Sequence, residues 1–378
     1  MKKHVRKWVY QTVLRLATTG AAVPQRHYRL VILKLDKLGD AVLSLGAVRR
    51  LLLEYGDEHT LLIVSSIAEP LFRAEFPGVQ RLVLPAFCQN FAPDFLRFLL
   101  HHSRELRRLS ADVLVCLRHV PSDYLHAISC LMNVRKCFAS RWEQPWENIS
   151  LAYPAVTFSP YPRQGGGTCQ ELEAHRRLLE TVTGKDILLE ELMPVMTSIQ
   201  PSDGHALLVC PEAGDPMRQY PPALLAEALR SFLERLPIPV EFCLPQGSDV
   251  RPWREYLAKA NVLCDVWHQP EDFMSLMRLV AGAGMVLAPE SAPAHLAAAL
   301  DKPGVFLLGG GHFGLLAPWC KSARQHWLHH LMECYHCRWQ CPYLETLCLT
   351  HIPAQTVAQS LWEASLQAPG LRSTTKAM

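Results

Sequence analysis

Residues 30–52 read LVILKLDKLGDAVLSLGAVRRLL, and this stretch decides the fold prediction. Residues 30–33 form a short apolar run that is typical of a buried strand. Apolar residues then recur at helical spacing over residues 41–55, after a short polar turn that contains Gly39 and Asp40. The stretch therefore predicts a strand, a turn and a helix of an α/β sheet.

The same alternation continues along the chain. In the first half it predicts further strands at 61–64, 82–84 and 113–117 and a helix at 95–109. In the second half it predicts strands at 206–210, 240–244, 262–266, 285–288 and 305–308, and helices at 222–236, 273–281 and 292–300. Two doubly wound, Rossmann-like domains follow from this pattern, and ligands bind at the carboxyl ends of the strands in such folds.

Composition and the remaining segments set the expected domain plan. Residues 184–204 have little helical or strand periodicity after Leu192 and predict a linker, which contains Pro194, Pro201, Ser202, Asp203 and Gly204. We expect the following parts: a basic N-terminal segment at 1–27, a first domain at 28–190, a second domain at 205–350, and a C-terminal helix and tail at 351–378. A net charge of +3 gives no argument for a nucleic-acid partner.

The N-terminal segment has two interpretations. Lysines and arginines surround apolar residues near one face of a helix, so residues 1–20 either contact an anionic membrane surface or form a docked helix or tail. Arg15 interrupts what would be the apolar core of a signal peptide. Thirteen cysteines without an export signal favour a reducing compartment. We therefore expect a cytoplasmic protein, with peripheral attachment to the inner membrane as the first of the two alternatives.

Asp40 is the candidate catalytic residue of the first half. It follows a predicted strand, where an aspartate suits a general base for a hydroxyl nucleophile. The alternative is an ordinary helix N-cap, for which aspartate is a preferred residue. Asp36 lies within the same turn and is the second choice.

Loops after the strands of the second half supply candidate ligands for an anion. Gly214 allows backbone amides to approach a phosphate and Arg218 supplies a positive charge, the alternative being a solvated surface arginine. Asp249 suits the hydroxyls of a ribose or is part of a plain turn. A helix is predicted to begin near Ser291, and its free amides suit a pyrophosphate. The residues around that helix start and in the following glycine run complete the set: Glu290, Ala292, His295, Gly309 and Gly310.

Four cysteines cluster near the C-terminus, at Cys334, Cys337, Cys341 and Cys348. Four thiolates at such spacing suit a closed structural site for zinc or iron, with His336 as a competing ligand. Free or loosely paired thiols are the alternative. Because a closed four-sulfur site has no open position for a substrate, we expect no cofactor to be required for catalysis.

Several of these stretches resemble glycosyltransferase family 9, the heptosyltransferases, in the same order along the chain. They are residues 33–43 around Gly-Asp, 209–221, 244–249, and 286–303, where Glu290, Ser291 and Ala292 replace the Asp-Thr-Gly of the family. The resemblance implies a GT-B fold, in which two Rossmann-like domains face each other across a cleft. It also implies that Asp40 is the base, that Asp249 contacts the nucleoside, and that Arg218 and the residues after Ser291 hold the diphosphate.

The family further implies an inverting transfer from ADP-heptose to the lipopolysaccharide core, without a catalytic metal. One alternative is a protein O-heptosyltransferase or a transferase of another nucleotide sugar. The other is a catalytically inactive scaffold, which the departures at Glu290, Ala292 and His312 permit.

Overall fold

The computed structural model describes residues 12, 23–85, 93–118, 123–141, 156–160, 169–264, 266–320 and 322–373. The prediction for residues 1–20 therefore falls almost entirely outside the described residues. Those that are described divide into two compact units. The first unit ends at Met193 and the second begins at Pro194 and also includes Cys169.

The first unit is built on one parallel sheet, in which the described residues form six strands in the order β3-β2-β1-β4-β5-β6. The strands are β1 (Arg26–Lys34), β2 (Thr60–Ser65), β3 (Gln80–Leu84), β4 (Leu109–Cys116), β5 (Asn133–Arg141) and β6 (Val156–Pro160). The helices are α1 (Leu38–Leu43), α2 (Leu45–Tyr55), α3 (Glu69–Glu75), α4 (Pro93–Leu106), α5 (Asp123–Leu131) and α6 (Gln170–Thr183). This strand order is that of a doubly wound fold, which reverses direction between β1 and β4.

The apolar run predicted at 30–33 becomes the centre of that sheet. Leu30, Val31 and Ile32 are fully buried because β1 pairs with β2 on one side and with β4 on the other. A strand covered on both faces needs a continuous apolar run rather than an alternating one. The single helix predicted at 41–55 is wrong, because Ser44 separates α1 from α2. Its hydroxyl donates to the carbonyl of Ala41 at 2.7 Å and competes with the helical ladder.

The second unit repeats the plan, and its described residues form six parallel strands in the order β12-β11-β10-β7-β8-β9. The strands are β7 (Leu207–Val209), β8 (Val240–Cys243), β9 (Val266–His268), β10 (Met285–Pro289), β11 (Gly304–Leu308) and β12 (Gln325–His329). The helices are α7 (Pro222–Leu233), α8 (Arg251–Lys259), α9 (Phe273–Gly282), α10 (Ala292–Ala299), α11 (Leu347–Thr350), α12 (Ala354–Ser365) and α13 (Pro369–Ser373). The order again reverses once, between β7 and β10.

The strand predicted at 262–266 is wrong. Val262 lies in the turn that follows helix α8 rather than starting a strand, since Asn261 takes a positive φ of 55° and the amide of Val262 donates to the carbonyl of Leu257. Burial of Val262 against the core explains its apolar character, and the strand begins at Val266. The C-terminal helix α12 packs against α7 within the second unit. Among the described residues, no helix has the length and apolarity that crossing a membrane requires.

Candidate functional site

The first group of polar residues lies where the sheet of the first unit reverses, at the ends of β1 and β4. Lys34 is the last residue of β1 and is fully buried. Its Nζ lies 3.0 Å from Oδ2 of Asp36 and donates to the carbonyl of Leu117, just after β4, at 2.6 Å. A buried lysine is stable only when it is paired and hydrogen-bonded, and Lys34 meets both conditions.

Two further charged side chains complete this group. Nε of Arg118 lies 2.7 Å from Oδ1 of Asp36, so Asp36 contacts two cations. Glu171, on α6, is fully buried and lies 3.8 Å from Nζ of Lys34 and 3.4 Å from Nε2 of His175. Burial by itself would lower the pKa of Lys34, but the charges of Asp36, Glu171 and Asp40 outweigh it and the pKa is raised above 10.5. Lys34 therefore remains charged at neutral pH.

Asp40 lies in the first turn of α1 and is partly exposed. The N-cap of that helix is Lys37, so the alternative in which Asp40 is the N-cap is wrong. The charge of Asp40 contributes to the raised pKa of Lys34, which places the carboxylate within electrostatic reach of the buried cation. Asp40 thus combines partial exposure at a strand end with an electrostatic interaction with Lys34, and its role as a general base remains a prediction.

The second group lies where the sheet of the second unit reverses, after β7 and β10. Nη2 of Arg218 lies 2.7 Å from Oε1 of Glu290 and also donates to the backbone carbonyl of Glu290. Glu290 is only 3% exposed. The interpretation of Arg218 as a solvated surface residue is therefore wrong, since its side chain is 17% exposed and is fixed by an ion pair.

The ionisation of Glu290 is controlled by its neighbours. Burial alone would raise the pKa of this carboxyl group, but contacts with His295 and His312 and the charge of Arg218 lower it well below its usual range. The ring nitrogens lie 3.8 Å (His295 Nε2) and 3.5 Å (His312 Nδ1) from the carboxylate oxygens, so these contacts are longer than good hydrogen bonds. We regard the ion pair with Arg218 as the main reason that Glu290 remains charged.

His295 has a structural role on its other side. Its Nδ1 accepts a hydrogen bond from Nε1 of Trp319 at 3.0 Å, the two rings are stacked, and His295 is 2% exposed. Ser291 is the N-cap of α10, but its hydroxyl donates to the carbonyl of Pro289 and makes no capping bond. The first turn of α10, which begins at Ala292, therefore has no side-chain cap.

The other predicted donor ligands have different surroundings. A Cβ added to Gly214 would meet nothing within 4 Å, so packing in the described structure does not require glycine there. Asp249 is exposed and its two carboxylate oxygens accept from Nε and Nη2 of Arg251 at 2.7–3.0 Å. Hydrogen bonds from the Arg251 side chain and backbone lower the pKa of Asp249 to about 2.

The glycine run at 309–311 is covered by aromatic rings of the cysteine segment, residues 334–348. A Cβ at Gly309 would lie 2.3 Å from the ring of Trp339, and a Cβ at Gly310 would lie 2.4 Å from that of Tyr335. The amide of Gly310 donates to Sγ of Cys348 at 3.2 Å. Close packing against these rings accounts for the glycines without any ligand, so their predicted contact with the donor remains a prediction.

The four clustered cysteines have free thiols. Burial raises the pKa of Cys348, and the neighbouring Cys334, Cys337 and Cys341 add to that effect. Within the part of the chain that the structure describes, no three or more His, Cys, Asp or Glu side chains are arranged to hold a metal ion. The cysteines are near one another, but in this arrangement they do not fit a closed tetrahedral site.

Part of the chain, which includes the second group, matches a protein-family model. Residues 188–346 match the model of glycosyltransferase family 9 (heptosyltransferase). The resemblance to family 9 is confirmed. The matched region includes Arg218, Glu290 and the start of α10, which are the centre of the second group. No curated protein sequence matches the chain.

Solved structures support the same fold. The chain is similar to the E. coli heptosyltransferase WaaC with ADP-2-deoxy-2-fluoro heptose, with 17% identity, a TM-score of 0.60, and coverage of 89% of this chain and 99% of the other. E. coli ADP-heptose lps heptosyltransferase II has 16% identity, a TM-score of 0.61, and coverage of 90% and 99%. The iron-containing dodecameric glycosyltransferase TibC from enterotoxigenic E. coli has 12% identity, a TM-score of 0.52, and coverage of 92% and 80%.

The fold is therefore GT-B, and the family 9 match supports glycosyltransferase function. Several polar residues of the two groups escaped the prediction: Lys34, Arg118, Glu171, His175 and Trp339. A lysine at the end of an apolar strand, and a Glu and a His four residues apart on an otherwise apolar helix face, are signals that could have been used. Trp339 gave no such signal, because its contacts come from two segments that are distant in sequence, one with Arg218 and one with the glycine run.

Proposed function

We propose that this protein transfers a heptose from ADP-heptose to a hydroxyl of the lipopolysaccharide core, with inversion and without a catalytic metal. The observation that carries the proposal is the Arg218–Glu290 pair beside the uncapped start of α10, inside the family 9 match. This is the point of a doubly wound sheet where ligands bind, and it presents a cation and free amides. WaaC, a protein of the same fold, was solved with an ADP-heptose analogue.

The donor diphosphate is expected to lie against Arg218 and the first turn of α10. Nη2 of Arg218 is engaged by Glu290, whereas its Nε is buried and has no hydrogen-bond partner among the described residues. An arginine has five N–H donors, so the ion pair with Glu290 leaves donors for phosphate oxygens. Fixed donors of this kind stabilise the negative charge that develops on a leaving diphosphate.

The acceptor hydroxyl is expected to lose its proton to Asp40. The acceptor oxygen then forms a bond to the anomeric carbon while the bond from that carbon to the diphosphate breaks, and ADP leaves with the electron pair. The proton remains on the carboxyl group of Asp40. The charge of Asp40 interacts with that of Lys34 and is one of the causes that raise the pKa of Lys34.

A donor screen with the purified protein tests this proposal. Release of ADP, UDP and GDP would be measured from ADP-heptose and from UDP- and GDP-hexoses, with heptose-deficient lipopolysaccharide core as the acceptor. We expect ADP release and transfer from ADP-heptose only. Release of UDP or GDP instead would remove the heptosyltransferase assignment and leave the fold intact.

The acceptor requires a separate comparison. In a deletion strain, mass labelling of the lipopolysaccharide core and of surface proteins should show loss of heptose from the core. Loss from proteins alone would favour the alternative of a protein O-heptosyltransferase. Contact of residues 1–20 with the inner membrane remains a prediction, and flotation of the full chain with anionic vesicles would measure it.

A structural zinc or iron at Cys334, Cys337, Cys341 and Cys348 also remains a prediction. TibC is described as iron-containing, but the four thiols in this chain do not fit a closed site as arranged. No step of the proposed reaction uses a metal. Elemental analysis of the protein purified without chelator, compared with a Cys334→Ser variant, would measure the metal content directly.

A further inference from the structure

The side chain of Trp339, in the cysteine segment, contacts the second group of charged residues. The guanidinium carbon of Arg218 lies 5.8 Å from the centroid of the Trp339 ring. The ring of His312, which also faces Glu290, meets Trp339 edge-on at 5.7 Å. The carboxylate of Glu290 therefore contacts Nη2 of Arg218, and the Trp339 ring lies next to the guanidinium carbon.

The glycine run also fixes the position of Trp339. A Cβ at Gly309 or Gly311 would lie 2.3 Å or 2.6 Å from its ring. The segment is also tied to this run by the amide of His336, which donates to the carbonyl of Gly310 at 2.8 Å. A ring packed this closely against the backbone of the glycine run has little freedom to move away from Arg218.

The backbone around Trp339 has an unusual conformation. His336, Arg338 and Trp339 take positive φ angles of 70°, 52° and 64°. L-residues rarely adopt this region, and it persists where the surrounding structure over-determines it. The conformation turns the chain so that Trp339 reaches the glycine run, while Nε1 of Trp339 is buried and makes no hydrogen bond among the described residues.

We propose that Trp339 is a positioning residue, which holds the guanidinium of Arg218 ready to bind the diphosphate of the donor. This inference rests on the proposed function. A cation held over an indole face keeps its charge while its rotamers are restricted, so less freedom is lost when a phosphate binds. The cysteine segment is thus a part of the donor site that acts through Arg218 rather than through its thiols.

Binding of ADP and of adenosine to the full-length protein tests this role, because adenosine lacks the phosphates. We expect Trp339→Leu to weaken ADP binding about tenfold, since that is the range of a partly desolvated cation–π contact, and to leave adenosine binding unchanged. Trp339→Phe should weaken ADP binding less than Trp339→Leu does, because a phenyl ring still offers the cation an aromatic face, although a weaker one than indole. Equal losses for both ligands would indicate general damage to the site and overturn the inference.

A matched control is available elsewhere in the second unit. The guanidinium carbon of Arg235 lies 4.4 Å from the ring centroid of Trp362, on helix α12, away from the predicted donor residues. Trp362→Leu should therefore leave ADP binding unchanged. If Trp339→Leu does not fold, Gly311→Ala provides a second perturbation, because its Cβ would lie 2.6 Å from the indole ring and displace it. Unchanged ADP binding by Gly311→Ala would then overturn the inference.

A double-mutant cycle with Arg218→Met shows whether Trp339 acts through the arginine. In the Arg218→Met background, Trp339→Leu should have no further effect on ADP binding. A full tenfold loss in that background would overturn the inference even if the donor is ADP-heptose. Binding of UDP or GDP in place of ADP would refute only the proposed donor, and the same variants would be measured with that nucleotide. A wild type that binds none of the three would overturn both proposals.

Discussion

The two units share one strand order, yet their reversal points have opposite charge patterns. In the first unit, three carboxylates, Asp36, Asp40 and Glu171, act on the buried Lys34. In the second unit, one buried carboxylate, Glu290, is contacted by Arg218, His295 and His312. The fold places both groups at equivalent edges, and the side chains alone decide the chemistry.

This contrast matches the two tasks of a sugar transfer. An acidic edge with a partly exposed carboxylate suits removal of a proton from an acceptor, whereas an edge with an arginine and free amides suits a diphosphate. Each edge also contains a buried charge that would be unstable alone, Lys34 in one and Glu290 in the other. Substitutions at each edge should therefore affect different measurements.

Asp40→Asn should produce the largest effect. Loss of a general base is expected to reduce kcat by up to about 10⁴-fold, while ADP affinity remains that of the wild type, because the donor ligands belong to the other unit. Stopped-time assays of ADP release and calorimetric titration with ADP would measure the two quantities. Asp186→Asn, at an exposed position of the same unit, is the matched control. Full activity of Asp40→Asn would refute its assignment as the base, and absence of turnover in the wild type would favour the inactive scaffold.

Lys34→Met should destabilise the first unit by about 3–5 kcal/mol, because it leaves Asp36 and Glu171 buried with one cation fewer. Denaturant unfolding would measure this, and adding Glu171→Gln should restore part of the loss. Because the pKa of Lys34 is raised, its contribution is present below pH 10.5 and is lost as the pH rises through the raised value.

The control for Lys34 is an exposed ion pair of the same unit. Lys185→Met removes the contact of Nζ with Glu54 at 2.7 Å, in which the lysine is 55% exposed, and should change the free energy of unfolding by less than about 1 kcal/mol. Equal effects of the two lysine substitutions would contradict the view that Lys34 is a buried counter-charge.

Asp40 and Lys34 illustrate what could be predicted from the sequence and what could not. Local patterns predict the position of Asp40 and many of the elements, because apolar periodicity and the residues after a strand are local properties. The elements predicted in this way are β1–β4, β7, β8, β10, β11, α4, α7, α9 and α10, whereas β5, β6, β12 and several short helices were not predicted. Lys34 is equally visible in the sequence, but its partners Leu117 and Glu171 are not, since they are brought to it by β4 and α6 from over 80 residues away.

The same limit applies to the second unit. Glycines 309–311 were attributed to a ligand, whereas the structure packs them against Trp339 and Tyr335. A glycine run shows that something approaches the backbone closely and does not show what approaches. The break at Ser44 was missed for a different reason, because helical periodicity continues in register across it and only a side-chain hydrogen bond separates α1 from α2.

Glu290→Gln should have a smaller effect than Lys34→Met, with a loss of about 1.5–3 kcal/mol for a hydrogen-bonded charge pair. Because the pKa of Glu290 is lowered, its stabilising contribution is present above pH 4.5, the value of a free carboxyl group, and is lost as the pH falls through the lowered value. Between pH 5 and pH 3, the free energy of unfolding of the wild type should therefore fall by more than that of Glu290→Gln. Parallel pH profiles of the two proteins would contradict the ion pair.

Substitution of Asp249 should have the smallest effect. It tests whether this residue binds the ribose or only belongs to a turn. Its carboxylate is exposed and already accepts from Arg251, so Asp249→Ala should leave the free energy of unfolding unchanged while ADP affinity falls by about three- to tenfold, the value of one or two hydrogen bonds to ribose. The pKa of about 2 keeps the group ionised, so the dissociation constant of ADP should not differ between pH 8 and pH 5 on its account. Arg251→Ala is the matched variant, and it should raise ADP affinity because it removes the competitor for the same oxygens. If both variants bind ADP as the wild type does, Asp249 belongs to a plain turn, and recognition in the second unit depends on the diphosphate alone.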